Sequence, residues 1–281
     1  MKISKTLSSL KDIIVQYKAD NQKIGFVPTM GNLHAGHIEL VNQAKLNCDK
    51  VVVSIFVNPL QFNESSDFNA YPKTLDDDQQ KLIAAQADCL FLPNSEMMYP
   101  NGQQEITKIC VPQITQMLEG EHRPGHFDGV STVVNKLFNL VQPNVAYFGE
   151  KDYQQLLLIK KMLADLNMPI DIQAVPTHRE KSGLAMSSRN SRLTAAQKKL
   201  APELYKALQQ VSALTIEGQK SLPEIEQQAQ STLQKKGFEV EYISIRDRSN
   251  LKISSNKKAN RLVLAAVCLG EVRLIDNLII D

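Results

Sequence analysis

The sequence predicts an α/β protein with a Rossmann-like wound parallel sheet, followed by a smaller C-terminal α+β domain that carries an antiparallel sheet. Short apolar segments alternate with helix-like segments over about the first two-thirds of the chain. These apolar segments are hydrophobic on both faces and rich in β-branched residues, as expected for buried parallel strands. Beyond about residue 175, two helix-like segments precede three consecutive strand-like segments, which is typical of a small α+β domain.

The predicted elements follow in chain order. In a first domain, expected at residues 1–176, the predicted strands are 24–28, 51–57, 89–92, 145–148 and 170–175. The predicted helices of that domain are 36–46, 75–87, 130–141 and 153–167. In a second domain, expected at residues 177–281, we predict helices at 194–214 and 221–236 and strands at 238–246, 261–269 and 271–280. We expect the second domain to act as a lid.

Composition excludes several classes of protein. The chain has 281 residues, enough for one large domain or two ordinary ones, and its net charge of +2 gives no basic excess for nucleic acid. No apolar run reaches the length of a membrane span, and the first ten residues lack the apolar core of a signal peptide. The four cysteines are far apart, which favours free thiols. We therefore expect a cytoplasmic protein with small-molecule partners, no nucleic acid and no membrane.

Residues 24–37 are the most informative segment. An apolar strand stops at Pro28, a glycine turn follows, and a predicted helix start then carries His34 and His37. Side chains three residues apart share one face of a helix. The first turn also offers N–H groups and the positive end of the helix dipole, so two imidazoles there suit phosphates. For the pair alone, an ordinary surface helix with two histidines is the favoured interpretation.

Two common nucleotide motifs are excluded. Gly31 and Gly36 have the spacing of a phosphate loop, but His37 and Ile38 follow instead of lysine and a hydroxyl residue. No G-x-G-x-x-G pattern follows a predicted strand, which removes the main sequence argument for a dinucleotide enzyme.

Two polar loops follow in the first domain. Residues 58–62 come directly after a predicted strand, and Gln61 offers donors and an acceptor, although an ordinary strand exit would look the same. Residues 76–78 are three successive aspartates. Asp77 and Asp78 are candidate ligands of Mg²⁺, which needs one or two carboxylates besides phosphates and water. A solvated first helical turn, favoured by the dipole, is the alternative interpretation.

A third loop, residues 149–152, opens a predicted helix after a strand. Gly149 permits close approach of the backbone to a ligand. Lys151 supplies a positive charge for phosphate, and Asp152 can accept hydrogen bonds from ribose hydroxyls. A charged helix start without a ligand remains possible.

The fourth loop, residues 186–190, reads Met-Ser-Ser-Arg-Asn. Hydroxyls next to an arginine fork suit phosphate oxygens, and Gly183 nearby is compatible with a lid that closes over a nucleotide. A domain linker is the alternative. Residues 121–129 are rich in Gly and His, and we favour a structural or dimer-contact role over metal binding by His122 and His126.

These segments together resemble a known family. Residues 34–37 (His-Ala-Gly-His) resemble the HxGH signature of the nucleotidylyltransferase superfamily, and residues 186–189 resemble its second phosphate loop. More narrowly, the chain resembles the pantoate–β-alanine ligase family. The shared segments, in order, are residues 28–31, 34–37, 56–59, 61–62, 71–72, 123–127, 148–156 and 183–190. Leu60 departs from the threonine that is common in the family pattern.

The resemblance implies ATP-dependent condensation of (R)-pantoate with β-alanine, giving pantothenate, AMP and pyrophosphate through a bound pantoyl adenylate. It implies catalytic roles for His34, His37, Lys151 and Arg189, with His37 as a proton donor. It also implies Mg²⁺ with ATP, and a homodimer. The ATP-binding residues that it implies are Met30, Gly31, Asn32, Leu33, His34, Ala35, Gly36, His37, Gly149, Glu150, Lys151, Asp152, His178, Met186, Ser187, Ser188 and Arg189. The implied pantoate and β-alanine contacts are Met30, Asn58, Gln61, Tyr71 and Gln155.

One implied position is unusual. His178 stands where an aliphatic residue is usual beside the adenine. If only its backbone contacts the base, affinity for ATP is unaffected, whereas an intruding side chain would change it. Two other functions compete with the ligase: a nucleotidylyltransferase that stops after one transfer, and a non-catalytic nucleotide sensor.

Overall fold

The structure is a computed structural model that describes residues 1–63, 68–253 and 260–280. The chain forms two compact units. The first comprises Met1–Glu150 and Leu158–Pro176, and the second comprises Lys151–Leu157 and Thr177–Asp281. The segment Lys151–Leu157, which we expected in the first domain, thus groups with the second unit. Within the described ranges, no helix combines the length and apolar character that crossing a membrane requires.

The first unit contains a six-stranded sheet in the order β1-β4-β3-β2-β5-β6. Every neighbouring pair in it is parallel. This arrangement confirms the predicted Rossmann-like fold class. The strands are β1 (Lys2–Ser4), β2 (Ile24–Thr29), β3 (Lys50–Ile55), β4 (Cys89–Phe91), β5 (Val145–Gly149) and β6 (Asp171–Val175).

Helices and short 3-10 turns connect these strands. The helices are α1 (Leu7–Ala19), α2 (Ala35–Asn47), α3 (Leu75–Ala84), α4 (Ser95–Met98), α5 (Glu119–His122), α6 (His126–Val141) and α7 (Tyr153–Asp165). The 3-10 turns are Pro59–Gln61, Ile114–Gln116 and Glu150–Asp152. The sequence analysis missed β1 and α1. The buried residues of α1 nevertheless show helical spacing: Leu10, Ile13, Ile14 and Tyr17.

The central strands β2, β3 and β5 are covered on both faces, which is why they are largely apolar. Phe26 of β2 and Val52 of β3 are fully buried. Phe138 of α6 packs edge-on against Phe26 and Phe148, with ring centroids 6.2 and 6.4 Å apart. The strand order reverses between β2 and β5, and wound sheets bind ligands at the carboxyl ends of strands at such a reversal. The loops after β2 and β5 are therefore the expected ligand loops of this unit.

The second unit contains a three-stranded antiparallel sheet, as predicted. Its strands are β7 (Glu239–Asp247), β8 (Arg261–Leu269) and β9 (Val272–Ile280), and its helices are α8 (Ala195–Leu200), α9 (Glu203–Glu217) and α10 (Leu222–Lys235). The prediction of one helix over residues 194–214 is wrong. Pro202 lies between α8 and α9 and interrupts the helix. Proline has no N–H for the helical hydrogen bond, and its ring crowds the preceding turn.

Gly129 of α6 is a position where the fold leaves no space for a side chain. A Cβ atom there would lie 2.3 Å from the carbonyl oxygen of Leu60. We expect Gly129→Ala to lower the free energy of unfolding by about 1–3 kcal/mol, because the helix and the turn would have to separate. Urea titration measures this loss. The control Asn139→Ala, on the exposed side of the same helix, should be neutral or slightly stabilising, and equal effects of the two changes would contradict the account.

Candidate active-site segments

The loop between β2 and α2 has a constrained backbone. Gly31 and Asn32 are consecutive residues with left-handed conformations, at φ 83° and 49°. Gly31 also tolerates no side chain without movement, since a Cβ atom would lie 3.0 Å from a methyl carbon of Ile55. The sequence predicted a glycine turn here, and this conformation is the physical reason for the glycine.

The histidine pair lies at the start of α2. His34 is the N-cap residue, and the rings of His34 and His37 are 4.0 Å apart between centroids. Nδ1 of His37 accepts a hydrogen bond from the backbone N–H of His34 at 3.3 Å. In a neutral His37 the proton therefore belongs on Nε2. The helix start thus combines two imidazoles with helical N–H groups, an arrangement that suits an anion.

A buried carboxylate holds the loop that precedes this pair. Asp78 of α3 is only 1% exposed. One of its oxygens accepts the backbone N–H of Asn32 at 2.8 Å, and the other accepts that of Leu33 at 2.7 Å. Thr74 donates its hydroxyl to the same carboxylate at 3.2 Å. Lys81, one turn further along α3, donates to the carbonyl oxygen of Leu33 at 2.8 Å. Two side chains of α3 therefore fix the approach to α2.

This geometry bears on the predicted magnesium ligands. Both oxygens of Asp78 already accept hydrogen bonds inside the protein, while Asp77 is exposed. Within the described part of the chain, no three His, Cys, Asp or Glu side chains are grouped so that they could hold a metal ion. Asp78 is therefore better explained as a loop support than as a metal ligand. The assignment to Asp77 and Asp78 stays a prediction.

The turn Pro59–Gln61 presents Gln61 on a fixed support. Asn58 is 1% exposed and donates from its amide to the Gln61 side-chain oxygen at 3.2 Å and to the carbonyl oxygen of Gly129 at 3.1 Å. The Tyr99 hydroxyl donates to the Asn58 side-chain oxygen at 2.7 Å, and burial raises the pKa of this phenol, which keeps it protonated. The Gln61 amide lies 2.9 Å from the sulfur of Met30. The structure therefore brings Gln61 and Met30 together, with Asn58 beneath them.

The segment rich in Gly and His supports the same turn. Nδ1 of His126 and one guanidinium nitrogen of Arg123 lie 2.7 and 3.2 Å from the carbonyl oxygen of Gln61. A second Arg123 nitrogen lies 3.2 Å from Nε2 of His126. Since a carbonyl only accepts and a guanidinium only donates, these partners assign the neutral tautomer of His126 with its proton on Nδ1. The motif thus holds Gln61 from behind. Tyr71 is also buried, and its ring packs edge-on against that of Phe62, with ring centroids 5.8 Å apart.

The first predicted nucleotide-binding segment of the second unit is the turn that contains Lys151. The carbonyl oxygen of Lys151 accepts a hydrogen bond from the side-chain amide of Asn277 at 2.8 Å. Gln155 follows in the first turn of α7 and is partly exposed. Gly149 and Glu150 belong to the first unit, whereas Lys151 and Asp152 belong to the second. The sequence analysis did not single out Asn277.

The other predicted nucleotide-binding segment of that unit is a tight loop over residues 178–189. The carbonyl oxygen of His178 accepts the N–H of Met186 at 3.0 Å, while the His178 side chain is exposed. Ser187 caps a 3-10 turn, Ser188–Arg192, and its hydroxyl accepts the N–H of Arg189 at 3.2 Å. Asn190 is 8% exposed and donates to the carbonyl oxygen of Ala185 at 3.1 Å. The base of the predicted lid is therefore well anchored.

Several supporting residues were missed by the sequence analysis. Arg179 and Asp276 form an ion pair in the second unit, at 2.6 Å. The available signal was a pair of adjacent polar residues, Asp276 and Asn277, inside a largely apolar strand. Tyr99 and Lys81 carried no comparable signal, since an isolated tyrosine or a helical lysine is ordinary.

The fold and these segments define a nucleotide-binding α/β protein of the HxGH type. The family described as pantoate-beta-alanine ligase matches residues 2–279. A pantothenate synthetase of Ectopseudomonas mendocina is 47% identical over 281 residues, which cover 100% of this chain and 99% of the relative.

Solved structures agree. A pantothenate synthetase from Thermus thermophilus superposes with a TM-score of 0.92 at 42% identity, covering 99% of both chains. A pantoate-beta-alanine ligase from Francisella tularensis, complexed with beta-gamma ATP and beta-alanine, gives a TM-score of 0.84 at 39% identity, covering 99% of this chain and 97% of the other. The chain belongs to the pantoate–β-alanine ligase family. It is an ATP-binding ligase that forms pantothenate from pantoate and β-alanine.

Asp78→Asn separates the loop-support role from a metal-ligand role. The new amide would direct a donor at one of the two N–H groups, so we expect a loss of about 1–3 kcal/mol of stability in EDTA. The same change should lower kcat/KM for Mg-ATP at least tenfold without altering the Mg²⁺ concentration at half-maximal rate. Asp77→Asn is the matched control and should change neither quantity. Equal increases in the required Mg²⁺ for both variants would instead identify a metal site.

Proposed function

We propose that this ligase activates pantoate as an adenylate before the amide forms. A carboxylate is a poor electrophile because its leaving group would be oxide. In the first step, a carboxylate oxygen of pantoate attacks the α-phosphorus of ATP, and the bond from that phosphorus to the bridging oxygen of pyrophosphate breaks. In the second step, the β-alanine amine attacks the acyl carbon and loses a proton. The bond from that carbon to the bridging oxygen breaks, so AMP leaves with the carboxylate oxygen that attacked phosphorus in the first step.

The observation that carries this proposal is the histidine pair at the start of α2. Charge develops on the α-phosphate and on the departing pyrophosphate, and preorganised donors lower the barrier to such a step. His34 and His37 supply imidazoles beside the helical N–H groups, 4.0 Å apart between ring centroids. His37, with its proton on Nε2, is the proposed hydrogen-bond donor to the departing pyrophosphate. Lys151 and Arg189 add fixed positive charge.

The ATP contacts that we propose extend beyond these four residues. They comprise Met30, Gly31, Asn32, Leu33, Ala35, Gly36, Gly149, Glu150, Asp152, His178, Met186, Ser187 and Ser188. The carbonyl oxygen of His178 accepts a hydrogen bond from the N–H of Met186. Because the side chain of His178 is exposed, this unusual imidazole does not clash with the loop.

For the acid substrate, we propose that Gln61 and Gln155 bind the hydroxyl and carboxylate groups of pantoate. Gln61 also borders β-alanine, and Met30 and Tyr71 complete these contacts. The Asn58 amide group already donates to Gln61 and to a backbone carbonyl, so Asn58 acts through Gln61. A preorganised glutamine loses less side-chain entropy on binding than a mobile one.

The remaining assignments also belong to the proposal. Mg²⁺ enters as part of the substrate Mg-ATP, since the phosphates supply the oxygen ligands that it prefers. The Francisella tularensis relative, which was solved in complex with beta-gamma ATP and beta-alanine, supports the pairing of ATP with β-alanine as substrates. We also propose a cytoplasmic homodimer.

The test is AMP release by the purified protein with Mg-ATP, (R)-pantoate and β-alanine, each omitted in turn. The proposal predicts AMP only with all three substrates, and bound pantoyl adenylate with pantoate and Mg-ATP alone. A lasting nucleotide adduct that β-alanine does not discharge would indicate a simple nucleotidylyltransferase. No consumption of ATP in any mixture would indicate a sensor.

Arg189→Ala tests the proposed charge stabilisation in the 178–189 segment. Loss of one preorganised donor costs about 2–4 kcal/mol of transition-state stabilisation, so we expect kcat to fall by roughly 30- to 900-fold. Arg192→Ala is a suitable control, because Arg192 lies in the same 3-10 turn with an exposed side chain. The AMP assay measures both variants. An unchanged kcat for Arg189→Ala would show that a residue other than Arg189 stabilises the charge.

A further inference from the structure

Strand β9 carries two adjacent buried polar residues that the reaction itself does not use. Asp276 is 4% exposed and Asn277 is 5% exposed, in a strand whose other buried residues are apolar. Burying a carboxylate is unfavourable unless it is paired and hydrogen-bonded. The pair therefore needs partners, and its partners are the two segments of the second unit that we assign to ATP.

Asp276 holds the 178–189 segment through Arg179. The Arg179 guanidinium donates to both carboxylate oxygens, at 2.6 and 2.8 Å, which is the paired geometry in which an arginine fork binds a carboxylate most strongly. The same guanidinium donates to the carbonyl oxygen of Gly183 at 3.2 Å and stacks on the ring of Tyr205 at 3.7 Å. Arg179 also pairs with Ala185 in an antiparallel bridge. It thus fixes the stem from which residues 186–189 continue.

Asn277 holds the other segment. Its side-chain amide donates to the carbonyl oxygen of Lys151 at 2.8 Å. Its own carbonyl oxygen accepts from Arg179 at 3.2 Å, and its backbone N–H donates to Asp276 at 2.8 Å. Two consecutive residues therefore connect the Lys151 turn with the stem at Arg179, although these segments are far apart along the chain.

We propose that Asp276 and Asn277 are positioning residues that hold the Lys151 turn and residues 178–189 in one fixed arrangement for ATP. This inference rests on the proposed function, because that function assigns both segments to ATP. The two residues contact the supports of the site and no substrate. Their effect on the reaction is exerted through Lys151 and Arg189.

The first test is Asn277→Ala in the full-length chain. It removes the hydrogen bond to Lys151 and leaves the backbone contacts in place. We expect the KM for Mg-ATP to rise at least fivefold while the KM for β-alanine stays within twofold. A residue with only a structural role would lower the amount of active enzyme without this split. An unchanged KM for Mg-ATP, or an equal rise in both KM values, would overturn the proposal.

Arg273→Met is the matched control on the same strand. Arg273 pairs with Glu241 at 2.7 Å, so this variant also removes a polar contact of β9. We expect unchanged KM values, because that ion pair reaches neither ATP segment. A shift in the KM for Mg-ATP as large as that of Asn277→Ala would show a general effect of the strand. It would contradict a specific junction formed by Asp276 and Asn277 between the two segments.

A double variant tests whether the two contacts act as one unit. Arg179→Lys keeps the charge but loses the fork geometry. If Asp276 and Asn277 form a single junction, Arg179→Lys combined with Asn277→Ala should lower kcat/KM for Mg-ATP little more than the worse single variant does. If the fall in kcat/KM of the double variant equals the product of the two single-variant falls, the contacts act independently. That result would overturn the proposed coupling between them.

Hydrogen exchange separates failure of this inference from failure of the proposed function. In Asn277→Ala without substrates, we expect faster exchange in residues 151–155 and also in residues 178–186 than in the unmodified chain. Unchanged exchange in both segments would overturn the junction whatever the activity. If the unmodified protein formed no AMP, the proposed function would fail, and the exchange result would still decide whether the junction exists.

Discussion

The parallel pairing of the first unit is the constraint on which its candidate site depends. Parallel strands all end at one edge of their sheet, and they need helical connections to return to the other edge. Because β2 and β5 are direct neighbours at the point where strand order reverses, the loops that follow them meet at one place. The histidine pair and the glycine at position 149 owe their location to this pairing rather than to local sequence.

Buried polar side chains then give these loops their exact shapes. Asp78 satisfies the amides of a loop with two left-handed residues, and His126 satisfies the carbonyl oxygen behind Gln61. Asp276 does the same for Arg179 in the second unit. Each of these groups is costly to bury unless it is fully bonded, so each bond that forms specifies one conformation. In this account, rigid supports orient the groups that contact substrate.

Much of this was predictable from the sequence, for identifiable reasons. Strands β2 to β6 were predicted from their short apolar segments, whereas β1 (Lys-Ile-Ser) carries no such signal. The glycine, histidine and serine–arginine loops have patterns specific enough to indicate the family. The supporting contacts were not predictable, because they join residues that are distant in the chain. Examples are the hydrogen bonds from Lys81 to Leu33 and from Asn277 to Lys151. The break at Pro202 was visible in the sequence, and the helix over residues 194–214 should have been divided there.

The most direct measurement follows the oxygen atoms of pantoate. The account requires a pantoate carboxylate oxygen to attack the α-phosphorus, so one labelled oxygen must leave with AMP. Purified protein supplied with carboxyl-¹⁸O pantoate, Mg-ATP and β-alanine should therefore yield AMP with one ¹⁸O atom and pantothenate with the other ¹⁸O in its amide. Unlabelled AMP, or label in inorganic phosphate together with ADP, would contradict the adenylate route.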